Sequence, residues 1–188
     1  MYNGENKTAI CSQKQIAKAM LHLLKEEKYT DISICKICKE AHVSRQTFYS
    51  LFQSKENIIL FLIQQACHFP DSPCESCSQN QNLCKEQMTL SDLCQYYSAY
   101  ICANYEFLGL LVKNNLLDLL FDSFRDAFLS CISVIPPEYS QIKEEIAYFV
   151  AGGISSIIRH CIHANTDNPP KDLEQLMRTL FSGVFFLK

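Results

Sequence analysis

The chain lacks any run of about 18 apolar residues, the minimum for a helix that crosses a membrane. Its longest apolar block, residues 58–63, is far too short, so no membrane span is expected. The opening stretch MYNGENKTAICSQKQ has no apolar h-region; no signal peptide is expected, and a cytoplasmic location is the default. Glycine and proline are scarce, at five and six residues, which confines helix breaking to a few places. No segment shows the period-two alternation of a half-buried strand, and no internal repeat is visible. Phosphate loops and a nucleophile–base–orienter spacing are missing too, so an enzyme is not expected.

An overall basic balance is also absent. Formal net charge is −3, which argues against a nucleic-acid partner until the chain is divided. Residues 1–60 hold nine Lys/Arg against six Asp/Glu, a net +3, and residues 61–188 hold eight against fourteen, a net −6. A small basic head on an acidic body fits a DNA reader with weak, salt-sensitive nonspecific affinity. A length of 188 residues suits one to two domains and a sizeable core. Cysteine is in excess, with eleven residues. Without an export signal the default is free thiols, most of them packed as small hydrophobes.

Apolar spacing predicts an all-α chain of about nine helices. Residues 1–11 read as an arm and 12–27 as the first helix, with Ile16, Ala19, Met20, Leu23 and Leu24 on its apolar face. The next stretch, SICKICKEAHVSRQTFYSLFQSKENI over 33–58, reads as two short helices joined by a tight turn, then the start of a fourth helix. Ile34, Ile37 and Ala41 share a face, His42 and Val43 make the turn, and Ser44 is placed to accept an orphan N–H at the start of the next helix. That helix carries Arg45, Gln46, Thr47, Tyr49 and Ser50, with Phe48 and Phe52 turned inward. Short polar groups with one Arg and one Gln suit base edges and phosphates in a major groove. The fourth helix, 54–67, offers its N-terminus and Lys55 to a phosphate.

The expected division is a DNA-binding head over 1–53 and an effector-binding and dimerisation body over 54–188. The fourth helix is the connector, and 68–88 is a loop. In the body, helices are expected over 91–104, 105–113 and 115–135, the last ended by Pro136 and Pro137. Another spans 138–165, and the final helix opens at Pro169 and Pro170 and reaches about residue 187.

At Ser33, Ile37, Ala41, Val43, Ser44, Thr47, Phe48, Tyr49, Phe52, Ser54, Lys55, Glu56 and Ile58 the chain resembles the TetR family of bacterial transcriptional regulators. Cys38 stands where Ala is usual. His42 stands where Gly is usual, at a position that often needs φ > 0, so mild strain is expected there. The resemblance implies that Ser44, Arg45, Gln46 and Thr47 face base edges or nearby phosphates, with Ser50 on the same helix. It implies phosphate contacts for Tyr49 and Lys55, and a cap with a backbone contact for Ser33. It also implies a homodimer. The segment from Phe149 through Gly152 and Gly153 to Ile154 looks like the family's penultimate helix, so Phe149, Gly152, Gly153, Ile157, Leu176 and Leu180 are expected at the interface.

An apolar effector pocket is expected among Tyr96, Tyr97, Tyr100, Phe107, Phe121, Phe124, Phe128 and Tyr148, although the same stripe also reads as plain core. Cys74-x-x-Cys77 with Cys84 has the ligand chemistry of zinc, but a clear second pair is missing. The functional reading is a ligand-responsive repressor that binds a pseudo-palindromic operator as a homodimer. Two alternatives stay open: a zinc or thiol-redox sensor built on those three cysteines, and a coactivator or adaptor acting by protein contact.

Overall fold

Asn6 starts the first helix. Its Oδ1 accepts the Thr8 N–H at 3.0 Å, which satisfies one orphan donor, so α1 runs Lys7–Glu26, earlier than apolar spacing alone predicts. The computed structural model describes residues 6–66, 89–130, 137–164 and 168–183. Among them are nine α-helices and two short 3₁₀ turns, with no strand. The chain divides after Ala66 into two compact units, whereas the sequence reading divided it before Ser54.

In the head, a 3₁₀ turn at Tyr29–Asp31 leads to α2 (Ile34–Glu40), α3 (Arg45–Leu51) and α4 (Lys55–Ala66). Helix α1 packs on all three, and α2 packs on α3. Ile16, Met20, Leu24, Ile32, Ile37, Phe48, Phe52, Ile58, Ile59 and Ile63 are fully buried, each worth about 1.5–3 kcal/mol of transfer free energy. The apolar face of α4 is thus part of the head's own core.

The body holds α5 (Leu90–Ala103), α6 (Tyr105–Lys113), α7 (Leu117–Ser130), a 3₁₀ turn at Pro137–Ile142, α8 (Lys143–Ala164) and α9 (Leu173–Ser182). Helix α8 packs on α6 and α7, and α5 packs on α9. Thr89 and Asp92 form a reciprocal capping box at the start of α5. The Tyr105 hydroxyl donates to the Cys161 carbonyl at 2.9 Å, satisfying one of the four C-terminal carbonyls that α8 leaves without an intrahelical partner. Cys38, Cys94 and Cys161 are buried, while Cys11, Cys35 and Cys102 are exposed.

Several helix bounds differ from the sequence reading, each for a local reason. Residues 137–142 are all exposed, so nothing buries a fourth residue per turn, and the chain stays 3₁₀ until Lys143. Asn115 sits at φ 56 in the turn after α6, so α7 starts at Leu117. Pro169 and Pro170 precede the last helix, which begins where Leu173 and Met177 start to bury. That helix ends at Gly183, φ 67, a left-handed cap that glycine adopts without steric cost. The expected extensions to residues 135 and 187 lie outside the described residues.

Candidate nucleic-acid interface

Serine hydroxyls begin both short helices of the head. Ser33 Oγ accepts the Lys36 N–H at 3.2 Å at the start of α2, and Ser44 Oγ accepts the Thr47 N–H at 3.0 Å at the start of α3. Between them, the Val43 N–H reaches back to the Cys38 carbonyl at 3.0 Å and the His42 N–H to Lys39 at 3.3 Å. This is a Schellman closure, and it puts His42 at φ 53. The positive φ expected at the usual glycine position is therefore present on a histidine.

The closure turns α3 so that Phe48 and Leu51 are buried while Arg45, Gln46, Tyr49 and Ser50 are exposed. Tyr49 is 57 % exposed, its ring edge-on to Phe48 at 5.4 Å. The Ser44 and Thr47 hydroxyls lie 2.9 Å apart, and Ser50 Oγ donates to the Thr47 carbonyl at 2.8 Å. Ser44 at the cap and Arg45, Gln46, Thr47, Tyr49 and Ser50 within α3 thus follow one another along one helix, while Ser33 stands at the head of α2.

Two relationships were not visible in the sequence. The Cys35 thiol beside the Arg45 guanidinium, across the α2–α3 packing, holds the guanidinium's pKa above its usual range. Lys55, expected on a phosphate, has its ammonium engaged elsewhere. Its Nζ donates to the Tyr29 carbonyl at 2.8 Å and to Ile32 at 3.2 Å, and stands 4.1 Å from the Tyr29 ring centre. Burial, with the neighbouring Glu56 carboxylate beside it, pushes the pKa of the Tyr29 phenol well up. Bonds from Ser54, its own amide and Tyr29 hold Glu56 below the usual carboxylate range. The sequence carried no signal for either contact, because both join residues ten or more positions apart.

Residues 16–61 match the family model described as bacterial regulatory proteins, tetR family. The match spans most of the head and about a quarter of the chain. The chain is 38 % identical over 58 residues to the HTH-type dhaKLM operon transcriptional activator DhaS of Lactococcus lactis subsp. lactis (strain IL1403). That alignment spans 31 % of this chain and 31 % of the relative. A solved structure, the dihydroxyacetone kinase operon activator DhaS, superposes with a TM-score of 0.54 at 22 % identity, covering 94 % of this chain and 96 % of that one. The TetR-type all-α fold is therefore shared, and the match lies with regulators rather than enzymes.

Outside the head, the expected pocket residues divide. Tyr97 and Tyr100 are buried edge-on to Phe124, at 5.3 and 5.6 Å, and Tyr96 packs on Tyr97 at 5.3 Å. Phe128 is buried as well. Phe121 instead pairs with Tyr148 at 5.8 Å. Tyr148 is 51 % exposed with Arg125 beside its ring, and Phe107 is half-buried on α6.

Of the expected interface residues, Phe149 is 71 % exposed and Leu176 and Leu180 are 38 % exposed each, whereas Ile157 is buried. Gly152 and Gly153 are half-buried. Among the described residues, no three His, Cys, Asp or Glu side chains are grouped to hold a metal ion. Cys74, Cys77 and Cys84 lie outside those residues. No helix among them is long and apolar enough to cross a membrane.

Proposed function

We propose that this chain is a DNA-binding transcriptional regulator that reads a pseudo-palindromic operator as a homodimer. One observation carries the reading: α3 exposes Arg45, Gln46, Tyr49 and Ser50 on a helix whose apolar side, Phe48 and Leu51, is locked into the head. Arg45 to guanine and Gln46 to adenine would each discriminate by roughly 1–3 kcal/mol. Ser44, Thr47 and Tyr49 take nearby phosphates or bases, and Ser33 touches the backbone.

Support for the homodimer comes from the 71 % exposure of Phe149 on α8 and from the open Leu176 and Leu180 on α9, large apolar side chains that water disfavours. Two such heads reading half-sites sit roughly 34–36 Å apart. A small-molecule effector acting on the body changes operator affinity only through its differential affinity for two conformations. The sequence reading favoured repression. The relatives named above are activators, so the sign of regulation is read directly by a reporter fused to the bound promoter.

Fluorescence anisotropy against the gene's upstream DNA and a scrambled duplex, at two salt concentrations, tests the assignment. Selective binding with two subunits per site supports it. Arg45→Ala combined with Tyr49→Phe must then abolish the selectivity; unchanged specific binding sinks the reading.

A further inference from the structure

Lys55 is the first residue of α4, yet its ammonium reaches 23 and 26 residues back along the chain. It donates to Tyr29 O at 2.8 Å and Ile32 O at 3.2 Å, and the Tyr29 ring face lies 4.1 Å from it. An ammonium has three donors. Two are committed to carbonyls, and the ring stands on a third side. Glu56, the next residue, stands beside the phenol of the same tyrosine. The start of α4 thus grips Tyr29 by its carbonyl and its ring.

The place of the grip matters. Ile32 is the last residue before Ser33, the cap of α2, and α2 packs on α3. Moving the ammonium out to a DNA phosphate would leave the Ile32 carbonyl without its donor and the Tyr29 carbonyl with the Ile32 N–H alone, and free the chain that enters α2.

We propose that Lys55 is a positioning residue of the DNA-reading head, a pin that fixes the entry to α2 and through it the register of α3, and not a phosphate ligand. This rests on the DNA-reading assignment above. Loss of a positioning contact disturbs base readout more than backbone attraction. Loss of a phosphate contact weakens binding uniformly across sequences and lowers the salt slope.

The test uses the full chain and a duplex that it selects from a randomised pool, with a scrambled duplex beside it. Lys55→Met is expected to weaken binding to the selected duplex about tenfold. Binding to the scrambled duplex and the slope of log K against log salt stay as in the wild type. Lys55→Arg, which keeps the charge and the donors, is expected to restore most of the loss.

Equal losses on both duplexes, with the slope reduced by about 0.9, would overturn the proposal. Should Lys55→Met fail to fold, amine footprinting of the wild type decides. Slow acylation of Lys55, unchanged on DNA, agrees; rapid acylation that DNA suppresses overturns. A wild type that selects no duplex from the pool instead removes the DNA-reading assignment, while footprinting of the free protein still reports whether Lys55 is shielded.

Discussion

A Cβ placed on residue 153 would stand 3.2 Å from the ring of Phe181. Gly153 is in the middle of α8, and Phe181 is near the end of α9. A glycine inside a helix costs about 1 kcal/mol against alanine; here its missing side chain admits a ring from the same chain. Gly153→Ala is expected to leave thermal stability unchanged or slightly higher, because the half-buried ring at a helix end can give by a few tenths of an ångström. Gly153→Leu is expected to cost about 1–3 kcal/mol by overpacking. Thermal melts of the two variants separate these outcomes, and equal melts for leucine and wild type would remove the close approach.

His42 holds a left-handed conformation, φ 53, that a non-glycine residue adopts at about 1–2 kcal/mol, and its side chain is exposed. His42→Gly is expected to stabilise the head by about 0.5–1 kcal/mol, since the chain entropy of glycine returns part of the gain. His42→Ala keeps the strain and brings no gain. Slower hydrogen exchange of the α2 and α3 amides in the glycine variant is the check.

Ser44 combines a cap with a place on the reading face. Ser44→Ala is expected to cost about 1 kcal/mol and to release the Thr47 hydroxyl. Ser44→Asp keeps the cap and favours the helix dipole, so stability holds, but the new carboxylate opposes the phosphates and operator affinity falls about tenfold or more. An aspartate variant that binds as well as wild type would place Ser44 away from the DNA.

Glu56 is held below the ordinary carboxylate range. A depressed folded-state pKa contributes stability above the unfolded value, about 4.3, and that contribution is lost as pH falls through the folded value. Urea midpoints of wild type and Glu56→Gln are expected to differ at neutral pH and to converge on acidification below about pH 4. A constant difference across that range excludes the Glu56 charge as its source.

Most of the head was legible because its signals are local. Ser33 and Ser44 cap helices within three residues of themselves, and the turn at His42 is set by two bonds that span three and five residues. Phe48 and Phe52 declare their inward face by spacing. The body was legible as helices but not at its joints. The start of α1 depends on an asparagine cap, the turn before α7 on Asn115 in a conformation usual for glycine, and the 3₁₀ stretch before α8 on a lack of burial. Lys55 illustrates the harder limit. Its residue type and position suit a phosphate, and only the folded chain brings two carbonyls from the α2 entry to its ammonium.

The buried cysteines have a use that none of the earlier contacts offers. Burial pushes the thiols of Cys38, Cys94 and Cys161 up, and a protonated, enclosed thiol does not alkylate. Cys38 belongs to the head and the other two to the body. Each unit therefore carries a native clock: its rate of alkylation counts how often that unit opens. Operator DNA should slow the clock at Cys38, and a body ligand those at Cys94 and Cys161, without any label being introduced.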